Sequence, residues 1–205
     1  MIRAKGAVMA MTVPAPTQLQ AERRLHPIRT PGTDCAKCGF EARTVSPADA
    51  ITAIRSFPRR YRRALQDALL DLDYGDRIIT TRPTGMWSAL ELTAHVRDAC
   101  HVFEKRMQRI VQEDAPSLAD AELETPPTTA HDQGVELVLA TLLSTADEFA
   151  RTASRISGDD WIRKGMLGTA EVSALDVLRE AVHDASHHLR DLEKVIAAAR
   201  KELGR

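Results

Sequence analysis

Four stretches of helical pattern follow residue 45, and each opens with a Ser or Thr followed three positions later by an acid. The four openings are Ser46-Pro47-Ala48-Asp49, Ser88-Ala89-Leu90-Glu91, Thr129-Ala130-His131-Asp132 and Ser173-Ala174-Leu175-Asp176. At that spacing the hydroxyl accepts a hydrogen bond from a free backbone N–H of the first helical turn, and the acid reaches back to the cap. One such match is weak evidence, but four in register with four apolar stripes predict an all-α chain. The first helix is expected to run from Ser46 to about Leu72, with Pro58 bending or interrupting it. The second runs from Ser88 to about Glu113, the third from Thr129 to about Ser157, and the fourth from Ser173 nearly to the C-terminus. Leu175, Leu178, Val182, Ala185, Leu189, Leu192 and Ile196 form one face of the fourth; Val135, Val138, Leu142, Ala146 and Phe149 do so in the third. Strand-like alternation is nearly absent. The connections are longer than the commonest bundle turns, so at least one has the reach to join parallel neighbours.

Before residue 46 the pattern disappears. Residues 1–45 carry Pro14, Pro16, Pro27 and Pro31 with little periodicity, and are read as a mostly extended leader containing Cys35-Ala36-Lys37-Cys38. Residues 46–205 are the bundle. Arg3 and Lys5 ahead of a short, mildly apolar run do not make an export signal, since the run is weak and leads into prolines. Met9 and Met11 leave a later translation start open. Three cysteines, an odd number, do not make a disulfide framework, and the expected compartment is the reducing cytoplasm. With 28 basic and 29 acidic residues, no field exists to attract phosphate backbones, so no nucleic-acid partner is expected. No apolar run is long enough to span a membrane, and no membrane partner is expected.

Chemistry concentrates in the histidines. His183 and His187 stand four apart on the fourth helix, one turn from each other on one face, a chelating arrangement. His95, near Leu92, Ala99 and Val102 on the second helix, is the natural third donor across a bundle core. A solvated pair is the bland alternative. His101 and His188 lie off these faces and are assigned to the surface or to a supporting position. Asp184 and Asp98 are placed to hold ring N–H groups, although an exposed helix acid is the default for both. Cys35 and Cys38, with Gly39 after them, look like half a zinc knuckle. They are a candidate second metal or redox site, to be completed by His26, His101, His131 or a second subunit. Cys100 is expected to be a small core residue. Trp87 and Trp161 are read as anchors at the approaches to the second and fourth helices.

The segment Gly85-Met86-Trp87-Ser88-Ala89-Leu90-Glu91, running into Ala94-His95-Val96-Arg97-Asp98, resembles the second-helix motif of DinB-like proteins. Val182-His183-Asp184-Ala185-Ser186-His187-His188-Leu189 resembles the same family's C-terminal His motif. The resemblance covers roughly residues 46–196. It implies a four-helix bundle with a long connection between helices 2 and 3, here residues 114–128. It also implies a divalent metal ion, zinc or nickel, held by His95, His183 and His187. The superfamily includes bacillithiol S-transferases and mycothiol-dependent maleylpyruvate isomerases. In the isomerases a glutamate occupies the position corresponding to His183, so the three-His set looks more like the transferase branch. The implied activity is activation of a low-molecular-weight thiol, of mycothiol type, for transfer to a small electrophile. Arg97, Arg106 and Arg190 are candidates to hold the thiol's carboxylate. A non-catalytic metal-binding stress-response or interaction module, and a metal-dependent hydrolase, are the alternatives. Pairing into a homodimer is left open.

Overall fold

The computed structural model describes residues 32–118, 123, 126–127 and 129–205. Four long helices dominate it: α1 (Pro47–Leu69), α3 (Ala89–Gln112), α5 (Val135–Ala153) and α6 (Ala174–Glu202). Two short ones, α2 (Gly75–Thr80) and α4 (Ala130–Gln133), sit in the connections. α3 packs against α5 and α6, and α1 packs against the same two, so helices consecutive among the long four are not all neighbours. No helix among the described residues is long and apolar enough to cross a membrane.

Three of the four expected starts are built as the spacing predicts. Ser46 accepts a hydrogen bond from the Asp49 N–H at 3.2 Å, with Pro47 at the first helical position. Ser88 and Glu91 form a reciprocal capping box, the Glu91 N–H donating to Ser88 Oγ (3.2 Å) and the Ser88 N–H to Glu91 Oε2 (2.9 Å). Ser173 and Asp176 do the same at 3.1 and 3.0 Å. The fourth start differs. Thr129 has helical backbone angles and makes no side-chain cap, and the helix it opens lasts one turn before Gly134. Gly134 has φ 74° and ψ 162°, a region open essentially to glycine alone, and the long helix α5 starts after it.

Other ends also differ from the expected ones. Pro58 does not interrupt α1, which continues past it with the proline buried inside the helix. It stops at Leu69, not Leu72, because the Asp71 carboxylate accepts from the Tyr74 N–H (3.0 Å) and offers the backbone a turn in place of another helical bond. α5 ends at Ala153, short of Ser157. The chain also contains strands. β1 (Ser117–Leu118) pairs parallel with β2 (Lys164–Leu167), which pairs antiparallel with β3 (Ala170–Ser173). The β2–β3 hairpin turns through Gly168, at φ 59°, as a two-residue hairpin loop requires. Four-residue strands are too short to leave an alternation visible in sequence. Arg163 secures the sheet to the bundle by donating to the carbonyls of Ile110 (3.1 Å) and Glu113 (2.8 Å) at the end of α3.

The core stripe of α1 is Ala50, Ile54, Phe57, Tyr61, Leu65 and Ala68, all 0–1% exposed, and it meets Leu142, Ala146 and Phe149 of α5 in one cluster. On α6, Leu178, Val182, Ala185, Leu192 and Ile196 are buried, whereas Leu175 and Leu189 lie at the margin. α3 is unlike the others. Every residue from Ala89 to Val96 is buried, so its first two turns have no solvent face. Polar groups there need internal partners: Glu91, fully buried, receives the Arg82 guanidinium and the Ser88 N–H.

Two substitutions test this account. Ser88→Ala should lower unfolding free energy by about 1 kcal/mol in urea titration, and Thr129→Ala by less than about 0.5 kcal/mol, because only the first side chain caps. Gly134→Ala should cost about 1–3 kcal/mol although the added methyl meets no atom within 4 Å. A neutral result there would remove the backbone explanation for the break between α4 and α5.

Candidate metal centres

An α-helix advances about 100° per residue, so residues four apart share a face and adjacent residues do not. The sequence His183-Asp184-Ala185-Ser186-His187-His188 therefore presents two neighbouring ladders on α6: His183 with His187, and Asp184 with His188. The structure turns them toward different partners. The donor atoms of His183 and His187 gather with the sulfurs of Cys35 and Cys38, all four within 4.8 Å of one another. The donors of Asp184 and His188 gather with that of His95 on α3, by the same measure. The expected set of His95, His183 and His187 is thus divided between two clusters. The one-residue offset between the ladders is the reason: the face that meets α3 carries Asp184 and His188.

In the second cluster, Asp184 stands between two imidazoles. Its Oδ2 lies 3.6 Å from His95 Nε2, and its Oδ1 lies 3.4 Å from His188 Nε2. The rings of His95 and His188 meet edge to face with centroids 4.8 Å apart, and Trp87 also meets His95 edge to face, at 5.5 Å. Burial pushes the Asp184 carboxyl up, but the two imidazoles outweigh it and hold it well below the usual carboxylate range. His95 Nε2 and Asp184 Oδ2 are buried and neither has a hydrogen-bond partner. Two converging buried donors left so, beside a third on His188, fit a divalent ion. The donors are two nitrogens and one oxygen, a borderline set suited to zinc and its neighbours. Three protein ligands leave a coordination position open.

The first cluster has four donors, and all four residues are buried. Cys35 Sγ lies 3.8 Å from His187 Nδ1. Carboxylates sit beside both rings: Glu180 Oε1 is 3.1 Å from His183 Nδ1, and Asp191 Oδ2 is 3.5 Å from His187 Nε2, the nitrogen opposite the one that faces Cys35. Burial raises the Cys35 thiol, but the Cys38 N–H and the His183 ring outweigh it and bring Cys35 down to about 6. Burial, with the charge on Cys35, pushes Cys38 up. Neither sulfur is in a disulfide. The completing histidines expected for the CxxC were His26, His101 or His131. His26 lies outside the described residues, His101 is exposed, and His131 points to Glu91, 3.3 Å away.

Asp191 ties the clusters together, since the same Oδ2 lies 4.0 Å from His188 Nδ1. Tyr61 supports the helix between the ladders by donating its hydroxyl to the Ala185 carbonyl at 2.9 Å. Cys100 is a buried core residue, its thiol pushed up to about 12 by burial and by the negative charges of Asp184 and Glu104. Of the arginines, Arg97 bonds Asp98 (2.7 Å) and Gln133 (2.6 Å), Arg106 lies over the Phe103 ring at 5.8 Å, and Arg190 is exposed. His188 is buried, which removes the surface half of its assignment, and Asp184 lies beside two imidazole nitrogens, as holding ring N–H groups requires, where an exposed acid was the default. The signal for both was present, because Asp184 and His188 repeat the four-residue spacing of the histidine pair.

Comparison with known proteins agrees with this architecture. No curated protein matches the chain. A solved structure described as "YfiT from Bacillus subtilis is a probable metal-dependent hydrolase with an unusual four-helix bundle topology" superposes with a TM-score of 0.64 at 12% identity, covering 89% of this chain and 98% of that one. The likeness is one of fold. The family model of the DinB superfamily matches residues 41–192, and the chain belongs to that superfamily.

Proposed function

We propose that the centre formed by His95, Asp184 and His188 holds a divalent metal ion and serves a thiol-dependent transfer to a small electrophile. The observation carrying this reading is the convergence of two buried donor atoms, His95 Nε2 and Asp184 Oδ2, which face each other at 3.6 Å beside His188 and neither of which makes a hydrogen bond. An ion bound there lowers the pKa of a thiol or water that reaches its open position. The chain's own residues do the rest. Asp184, kept ionised, offsets the ion's charge and orients both imidazoles. Trp87, itself buried, packs edge to face on His95 and adds to its cover. In the transfer, the thiol sulfur bonds to an electrophilic carbon, the leaving group departs with its electron pair, and the thiol proton passes to solvent.

The carboxylate supports thiol chemistry in particular. Taking the helix pair as His183 and His187 set the chain apart from the thiol-dependent isomerases, which place glutamate at the first position. Read one residue on, as Asp184 and His188, the pair has a carboxylate first and a histidine second, as those enzymes do. Hydrolysis is the second reading, favoured by the description of the Bacillus subtilis structure as a probable metal-dependent hydrolase.

Zinc- and nickel-loaded full-length protein should accelerate coupling of a cysteine-based low-molecular-weight thiol to a chloronitroaromatic compound. The acceleration should fall more than about 100-fold in His95→Ala and in Asp184→Asn, a larger loss than outer-shell changes give. Cleavage of an activated ester with no thiol requirement, lost in the same variants, would move the assignment to hydrolysis. Tight metal binding with neither activity would leave a non-catalytic metal-binding module.

A further inference from the structure

We infer that Cys35, Cys38, His183 and His187 form a second, closed metal site: a Cys2His2 zinc clasp that fastens the segment before α1 onto α6. It does not depend on the catalytic reading above, since its donors are different atoms facing a different partner.

Four arguments support it. The first is the donor set. Two cysteines at C-x2-C spacing and two histidines four apart on a helix are an ordinary structural zinc set, and four protein ligands leave no open position. The second is geometry. Zinc–sulfur bonds of about 2.3 Å and zinc–nitrogen bonds of about 2.0–2.1 Å place tetrahedral ligands roughly 3.3–3.8 Å apart. The Cys35–His187 distance of 3.8 Å already meets this, and all four atoms lie within 4.8 Å. The third is the local backbone, which is shaped as a knuckle. The Cys35 N–H donates to the Phe40 carbonyl and the Gly39 N–H to the Cys35 carbonyl, each at 2.8 Å, and Gly39 takes φ 70° to close the turn. Asp34 Oδ1 accepts from the Ala42 N–H at 2.8 Å and holds the knuckle's exit. The fourth is the outer shell: Asp191 stands at the His187 nitrogen opposite the one that faces Cys35, and Glu180 stands at His183 Nδ1, carboxylates of the kind that fix ring orientation at zinc.

Charge and protons balance. Zinc(II) replaces the two thiol protons, which leave to solvent, and two thiolates with two neutral imidazoles make a buried site of zero net charge. The clasp would have a positioning role as well. By fixing His183 and His187 it sets the rotation of α6 about its axis, which is what directs Asp184 and His188 toward His95.

The test uses untagged full-length protein. Wild type should bind about two zinc ions per chain by plasma mass spectrometry, one for each donor set. Cobalt-loaded wild type should show a thiolate-to-cobalt charge-transfer band. His95→Ala should keep that band with one ion, and Cys38→Ser should lose it. Wild type is also alkylated, a readout independent of whether Cys38→Ser folds. Cys35 and Cys38 should be protected when zinc-loaded and become reactive after chelation, with Cys100 unreactive in both states while the chain stays folded. The inference is overturned if cobalt-loaded wild type shows no thiolate band, if alkylation is indifferent to zinc, or if a Cys35–Cys38 disulfide in the purified protein is opened by a thiol reductant and the reduced pair still takes up no zinc.

Discussion

Everything near the centre of this molecule depends on how one helix compensates the burial of its polar side chains. α6 takes His183, His187 and His188 into the interior with exposures of 4, 7 and 1%, and brings Asp184 with them. A protein interior tolerates such groups only if each finds a partner, and an isolated charge there costs several kcal/mol. The partners come from three directions: His95 from α3, Cys35 and Cys38 from the segment before α1, and Glu180 and Asp191 from α6 itself. No apolar contact would specify the rotation of α6 so narrowly. A small turn of the helix would keep most of Leu178, Val182 and Leu192 covered but would separate the donors.

The bundle was legible because its signals are local. A hydroxyl and an acid three apart either form a cap or do not, and Ser46, Ser88 and Ser173 do. Thr129 failed for a reason equally local, since Gly134 five residues later adopts angles that no helix contains. The site was legible in kind but not in grouping. Sequence shows that His183 and His187 share a face, but not which neighbour the face meets, and that depends on contacts as distant as Cys35, 152 residues away. Asp184 and His188 were given supporting or surface positions and not counted as ligands, because an acid or histidine on a helix is usually solvated. Only the packing of α3 against α6 makes these two interior.

The small sheet has a share in this arrangement. Ser173 ends β3 and caps α6, so the hairpin and the helix that carries both clusters meet at one residue. Arg163, one residue before β2, is bonded to the far end of α3. The two helices that supply His95 and Asp184 are thereby braced through the sheet as well as through their direct contact.

The distance in sequence between the cysteines and their histidines also matters during synthesis. Chains elongate at about 5–20 residues per second, so the thiols of Cys35 and Cys38 precede His187 from the ribosome by roughly 8–30 seconds. For that interval the two sulfurs have neither their imidazole neighbours nor the cover of α6. A nascent chain is then most open to oxidation or to capture of the wrong ion at its N-terminal end, while the histidines that would secure it are not yet made. Native order arrives last, with the fourth long helix, and arrives at both clusters together.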